Sequence, residues 1–200
     1  MPSSPLPSPP ADTLLLCIDL QPGFLDAIPG SAAVLARCEF AVRSAVGLGL
    51  PVAFTEQVPA KLGATAPSLR TAAVDAPVWS KTCFSALGDA TIRDALVLDQ
   101  RVGHLLICGL ETSICVYQTA IAALAEGIDV TVLSDCVVAR RTDDGRVCLE
   151  ALARHGAHIL PAETVFYALL RDASHPNFRE FTRLVKSQTR CSASPDSRHV

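Results

Sequence analysis

Positive charge is not in excess in this chain, aromatic residues are scarce, and no apolar run is long. Lys and Arg number 17 against 20 Asp and Glu, for a formal net charge of −3. Nucleic-acid binders usually present a basic patch, so this balance argues against such a partner. No apolar run approaches the roughly 18 residues of a membrane span, so no membrane partner is expected either. The opening MPSSPLPSPPAD has neither the basic stretch nor the apolar core of a secretory leader. It reads as a disordered Pro/Ser tail over 1–12, with a second tail over 187–200 and one domain over 13–186. None of the 8 cysteines forms a CxxC pair, so the expectation is a cytoplasmic protein with reduced thiols and no disulfide framework.

Two further absences narrow the chemistry. The turn after the first apolar run reads DLQPGF. It lacks the GxGxxG of a dinucleotide-binding oxidoreductase. It also lacks the second Asp, two residues after the first, that a phosphatase of the haloacid dehalogenase type needs, because position 21 is Gln. The five histidines, His104, His155, His158, His175 and His199, form no ligand-like cluster. No metal and no cofactor are expected.

What is present is a hydrophobic half of the composition, at 50%, with 18% charged residues, enough for one core without metals or disulfides. TLLLCID, LPVAFTE, PVWSK, VGHLLICG, IDVTVLSD and AHIL read as six strands. Helical segments alternate with them. AAVLARCEFAVRSAVGLG is expected to be capped by Ser31, and ATIRDALVLD by Asp89. TDDGRVCLEALARHG has an acidic first turn and a basic last turn, which suits the helix dipole. ETVFYALLRDA and NFREFTRLVK close the domain, their apolar faces free to pack within the chain or between subunits. The alternation predicts an α/β fold: a three-layer α/β/α doubly wound sheet, mainly parallel, of about six strands.

In such a fold ligands bind beyond the carboxyl ends of the strands. Those ends deliver Asp19, then Thr55, Glu56 and Gln57, then Lys81, then Gly109 to Cys115. An acid, a cation and a thiol on one rim are a base, a charge stabiliser and a nucleophile if they meet. Cys115 falls where a strand hands over to a helix. The dipole and free N–H groups of that turn favour thiolate over thiol, and a nearby lysine favours it further. Cys17, Cys38, Cys108, Cys136 and Cys148 read as small buried hydrophobes, Cys191 as a tail thiol, and Cys83 as the rival nucleophile beside Lys81. Phe24, Trp79 and Phe84 read as core or pocket wall.

LLLCIDLQPGF, WSKTCFS and CGLETSICVYQTA, in that order, resemble the isochorismatase-like cysteine hydrolases. TEQVPAKLG and KTCFS are most similar to the branch of isochorismatase domain-containing proteins. The resemblance implies a triad of Asp19 as base, Lys81 as orienting cation and Cys115 as nucleophile. It implies a cis peptide at Leu110–Glu111 and an oxyanion hole formed there with the Cys115 N–H. It also implies a substrate pocket involving Phe24, Glu56, Gln57 and Phe84, and a homo-oligomer acting on a small molecule. FTEQVPAKLG has no histidine where nicotinamidases carry metal ligands. The expectation is therefore metal-independent amide hydrolysis through a Cys115 thioester. The alternatives are vinyl ether hydrolysis, a non-catalytic interaction protein that keeps the fold, and a redox-sensing thiol.

Overall fold

Each expected strand forms. The computed structural model describes the backbone of residues 12–192 and side chains as far as 188. The strands are β1 (Thr13–Ile18), β2 (Val52–Gln57), β3 (Val78–Lys81), β4 (His104–Leu110), β5 (Asp129–Val138) and β6 (His158–Leu160). Between them run α1 (Pro22–Leu25), α2 (Ser31–Gly47), α3 (Pro59–Leu62), α4 (Pro67–Ala72), α5 (Ala90–Asp94), α6 (Tyr117–Ala125) and α7 (Thr142–Arg154). After β6 come α8 (Ala162–Leu170) and α9 (Phe178–Ser192). The sheet order is β3-β2-β1-β4-β5-β6 and every pairing is parallel. The order reverses at β1 and β4, so the crevice beyond their carboxyl ends is the place for a ligand.

The period-2 alternation of β1 divides the core in two. Leu15 and Cys17 face α2, α8 and α9, with Phe40, Phe54, Phe166 and Phe181. Leu14, Leu16 and Ile18 face the other layer, with Ile92, Val116, Ala120 and Leu152. Cys17, Cys38, Cys108 and Cys136 are packed into the first layer as expected of small hydrophobes, and all seven described cysteines are free thiols. Cys148 departs from its expectation: it is only half buried on α7. The apolar face of α8 is used within the chain. Phe166 meets Phe40 edge-on at 6.3 Å between ring centroids, and Tyr167 meets Phe181 at 4.9 Å.

Local signals held in part. Asp89 caps α5, accepting from the N–H groups of Thr91 and Ile92, and α7 begins at Asp143 and Asp144 and ends at Arg154. Ser31 is not a cap. Gly30, in the left-handed region at φ 80°, takes that position, and the Ser31 hydroxyl instead donates to the Leu25 carbonyl at 2.5 Å. The domain was expected to end at 186, but α9 continues to Ser192. The rest of both expected tails lies outside the described residues, as does the Cys191 side chain. Among the described residues no helix is long and apolar enough to cross a membrane.

Gly109 shapes the crevice. Its φ is 123°, and a Cβ there would overlap the backbone carbonyl of Ile18. Only glycine lets β4 lie this close to the end of β1. Gly109→Ala is therefore expected to destabilise the fold by about 2 kcal/mol or more, read as a lower urea midpoint at unchanged m-value.

Candidate active site

The site begins with the backbone of Asp19. This residue follows the last one of β1 and has φ 51°, a left-handed conformation that a non-glycine residue holds only where its surroundings impose it. Its N–H donates to the Thr55 carbonyl at 3.1 Å. The side chain is fully buried and both oxygens are engaged: Oδ1 accepts from Thr55 Oγ1 at 2.7 Å and Oδ2 from Lys81 Nζ at 2.7 Å. Lys81 is equally buried, and its ammonium also donates to Gln57 Oε1 at 2.7 Å, Phe84 O at 3.2 Å and Cys83 O at 3.3 Å. A buried ion pair in which both partners are also hydrogen-bonded is the form in which such charges are tolerated in a protein interior.

Cys115 completes the cluster. It lies in a π-helical turn (Thr112–Val116) that leads into α6, so its side chain leaves the chain at the handover from β4 to helix. Leu110–Glu111, immediately before this turn, is a cis peptide. The turn was expected to favour thiolate, and here the structure differs. Burial pushes the Cys115 thiol up to about 12, the Asp19 carboxylate beside it adds to the rise, and Lys81 only partly offsets them. Loss of solvation and a like charge outweigh the helix terminus. Cys115 is therefore a thiol at neutral pH, beside the carboxylate that can take its proton.

Above Cys115 opens a cavity of about 440 Å³, walled by Phe24, Ile28, Leu62, Phe84 and Ile114, with Glu111 and Arg140 also on its wall. Phe24 and Phe84, expected at a substrate pocket, line this cavity. Glu56 and Gln57 do not line it. Glu56 faces the opposite side of β2, where Oε1 accepts from the N–H and hydroxyl of Thr65 at 2.7 and 2.8 Å; it fastens a loop. Gln57 lies beneath the cavity against Lys81. Cys83 meets Lys81 through its carbonyl, not its sulfur, so the rival thiol takes no part in the cluster. A larger cavity of about 500 Å³ between α2 and α9 contains none of these groups.

Sequence reasoning placed Thr55 on the rim without giving it a role, and missed Gln21 and Arg140. Thr55 holds Asp19, Gln21 holds Gln57, and Arg140 joins the wall. Arg140 Nε donates to Glu111 Oε2 at 2.9 Å and its backbone N–H to Glu111 Oε1 at 3.3 Å. Ser113 Oγ donates to the same carboxylate at 3.1 Å. Arg140 follows the observed end of β5 at Val138, whereas the strand was expected to stop at Asp135, so the strand-end rule fell short of it. Among the described residues no three His, Cys, Asp or Glu side chains are grouped to hold a metal ion. His104 bonds Thr131 and His155 bonds the Ala151 carbonyl.

Residues 13–164 match the model of the isochorismatase domain. The chain is 34% identical over 177 residues to isochorismatase domain-containing protein 2A of Mus musculus, covering 88% of this chain and 84% of that one. It is 37% identical over 150 residues to isochorismatase domain-containing protein 2 of Bos taurus, covering 75% and 69%. Among solved structures, one described as the MAR1 ribonuclease of Caenorhabditis elegans superposes with a TM-score of 0.82 at 28% identity, over 96% of this chain and 95% of that one.

Proposed function

The chain belongs to the isochorismatase domain family and has its hydrolase fold, and from this premise we propose that it hydrolyses a small amide through a thioester on Cys115. One observation carries the reading: a buried carboxylate, held by Lys81 and Thr55, stands beside the thiol at the floor of an apolar cavity. Asp19 takes the proton from Cys115 as the sulfur attacks the amide carbonyl. The C–N bond breaks and the leaving nitrogen takes that proton from Asp19. Water then gives a proton to Asp19 and its oxygen to the acyl carbon. The C–S bond breaks, the acid leaves, and the sulfur recovers its proton. Lys81 stays charged throughout and holds Asp19 in place. The transient oxyanion falls to the Cys115 N–H and the adjoining turn at Leu110–Glu111. No step calls on a metal.

The cavity walls support a compact substrate with an apolar body. Arg140, with Nε occupied by Glu111, keeps its terminal amines for an oxygen at the far end of that substrate. The name of the nematode relative raises RNA cleavage as a second reading, but a cavity of about 440 Å³ with mainly apolar walls and a net charge of −3 do not favour it.

The test is a panel of small amides, with and without a terminal carboxylate, and an RNA control. Ammonia or amine release is followed, and intact mass reports acyl addition. Turnover of an amide with an acyl adduct that maps to Cys115, both absent in Cys115→Ala, is the expected result. Turnover that survives Cys115→Ala removes the thioester mechanism.

A further inference from the structure

Gln57 was expected to touch substrate, yet it is buried beside the one cation of the cluster. It is the register partner of Lys81 across β2 and β3, so the two side chains lie side by side on one face of the sheet. The orientation of its amide is fixed. Nε2 donates to the Thr82 carbonyl at 2.7 Å, which leaves Oε1 to accept from Lys81 Nζ at 2.7 Å. Its backbone is clamped as well: the Gln57 N–H donates to Gln21 Oε1 at 2.7 Å, and Gln21 Nε2 returns a bond to the Gln57 carbonyl at 3.1 Å.

We propose that Gln57 is a positioning residue: a neutral acceptor that keeps the Lys81 ammonium charged and in place while Asp19 alone exchanges the proton. The inference rests on the roles given above to Asp19, Lys81 and Cys115. Its logic is electrostatic. When Asp19 accepts the Cys115 proton, Lys81 loses its counter-charge inside the protein. Burial then favours the neutral amine. Gln57 Oε1, with the carbonyls of Cys83 and Phe84, still solvates the ammonium at that moment. A carboxylate in this position would solvate it too, but would place a second negative charge near Asp19 and Cys115 and push the Cys115 thiol further up. The charged groups that face the cluster are Asp19 from the end of β1 and Lys81 from β3, with Glu111 and Arg140 at the cavity wall. Glu56 is engaged on the other face of β2.

The test needs no substrate. The rate of Cys115 alkylation by iodoacetamide is measured from pH 7 to 11 on the full chain, with adducts located by peptide mass spectrometry. Gln57→Glu is expected to move the curve to higher pH by about one unit, or about tenfold slower labelling at pH 8. Gln57→Met, which keeps the volume and removes the acceptor, is expected to move it the same way, because the ammonium that favours the Cys115 thiolate is then no longer held in place. A residue that only filled space would do the opposite, since loosening the floor of the cavity would speed labelling. Faster labelling, or an unmoved curve, in the variant that folds overturns the proposal while the thioester reading stands. A wild-type Cys115 that never labels overturns both.

Discussion

Replacing Lys81 with methionine is expected to destabilise the protein by about 3–5 kcal/mol, the usual result of stranding one member of a buried ion pair. Asp19 would then keep a single strong donor, Thr55, in a site closed to water. The loss is read from the urea midpoint. The double variant Asp19→Asn/Lys81→Met removes both charges and is expected to recover most of the stability, so the two changes are strongly non-additive. Turnover does not return with it, because the proton acceptor is gone. Recovery of the fold without recovery of activity separates what the pair does for stability from what it does for chemistry. Additive losses would mean that the two groups act independently, against the 2.7 Å contact between them. Lys81 also bonds the carbonyls of Cys83 and Phe84. Lys81→Met should therefore loosen the segment that brings Phe84 to the cavity wall.

Much of this arrangement was legible in the residues. Continuous apolar runs of strand length, alternating with helical periods, required a parallel sheet covered on both faces, and strand ends then named Asp19, Lys81 and Cys115 as neighbours. What strand ends do not reveal is which way each side chain points. Thr55, Glu56 and Gln57 were treated as one polar group. Yet a strand sends alternate residues to opposite faces. Thr55 and Gln57 share the face of Asp19 and Lys81, whereas Glu56 turns to Thr65. Parity along β2 carried that information.

Other features were not readable at all. β5 was expected to stop at Asp135, but it runs to Val138. Its register against β4 slips between Ile107 and Gly109, where pairing jumps from Val132 to Val137. A slip of this kind depends on the partner strand, so neither local sequence contains it. The extension is what brings Arg140 to the cavity wall. Ser31 failed as a cap for a similar reason: a nearby carbonyl, that of Leu25, captured the hydroxyl first. The ionisation of Cys115 was misjudged because the helix end was weighed without the depth of burial or the position of Asp19 relative to the sulfur.

That misjudgement reverses the expected effect of removing the carboxylate. Asp19→Asn takes away the negative charge that, after burial, contributes most to holding the Cys115 thiol up at about 12. Iodoacetamide labelling of Cys115 at pH 8 should become faster, by about tenfold if the shift is one unit. Turnover of any amide substrate should fall by about 10²–10⁴, the usual contribution of a positioned general base. The two effects have opposite signs because alkylation needs only a thiolate, whereas hydrolysis needs somewhere to keep the proton and a means to return it to the leaving nitrogen. In the wild type the sign is fixed by the raised value: the thiolate fraction is small at pH 7 and grows tenfold per unit as pH rises toward 12. Labelling should climb steadily over pH 7–11, without a plateau near neutrality. A plateau near pH 6 would mean a resting thiolate. Asp19 would then have no proton to take, and the division of labour between base and nucleophile would have to be redrawn around Lys81.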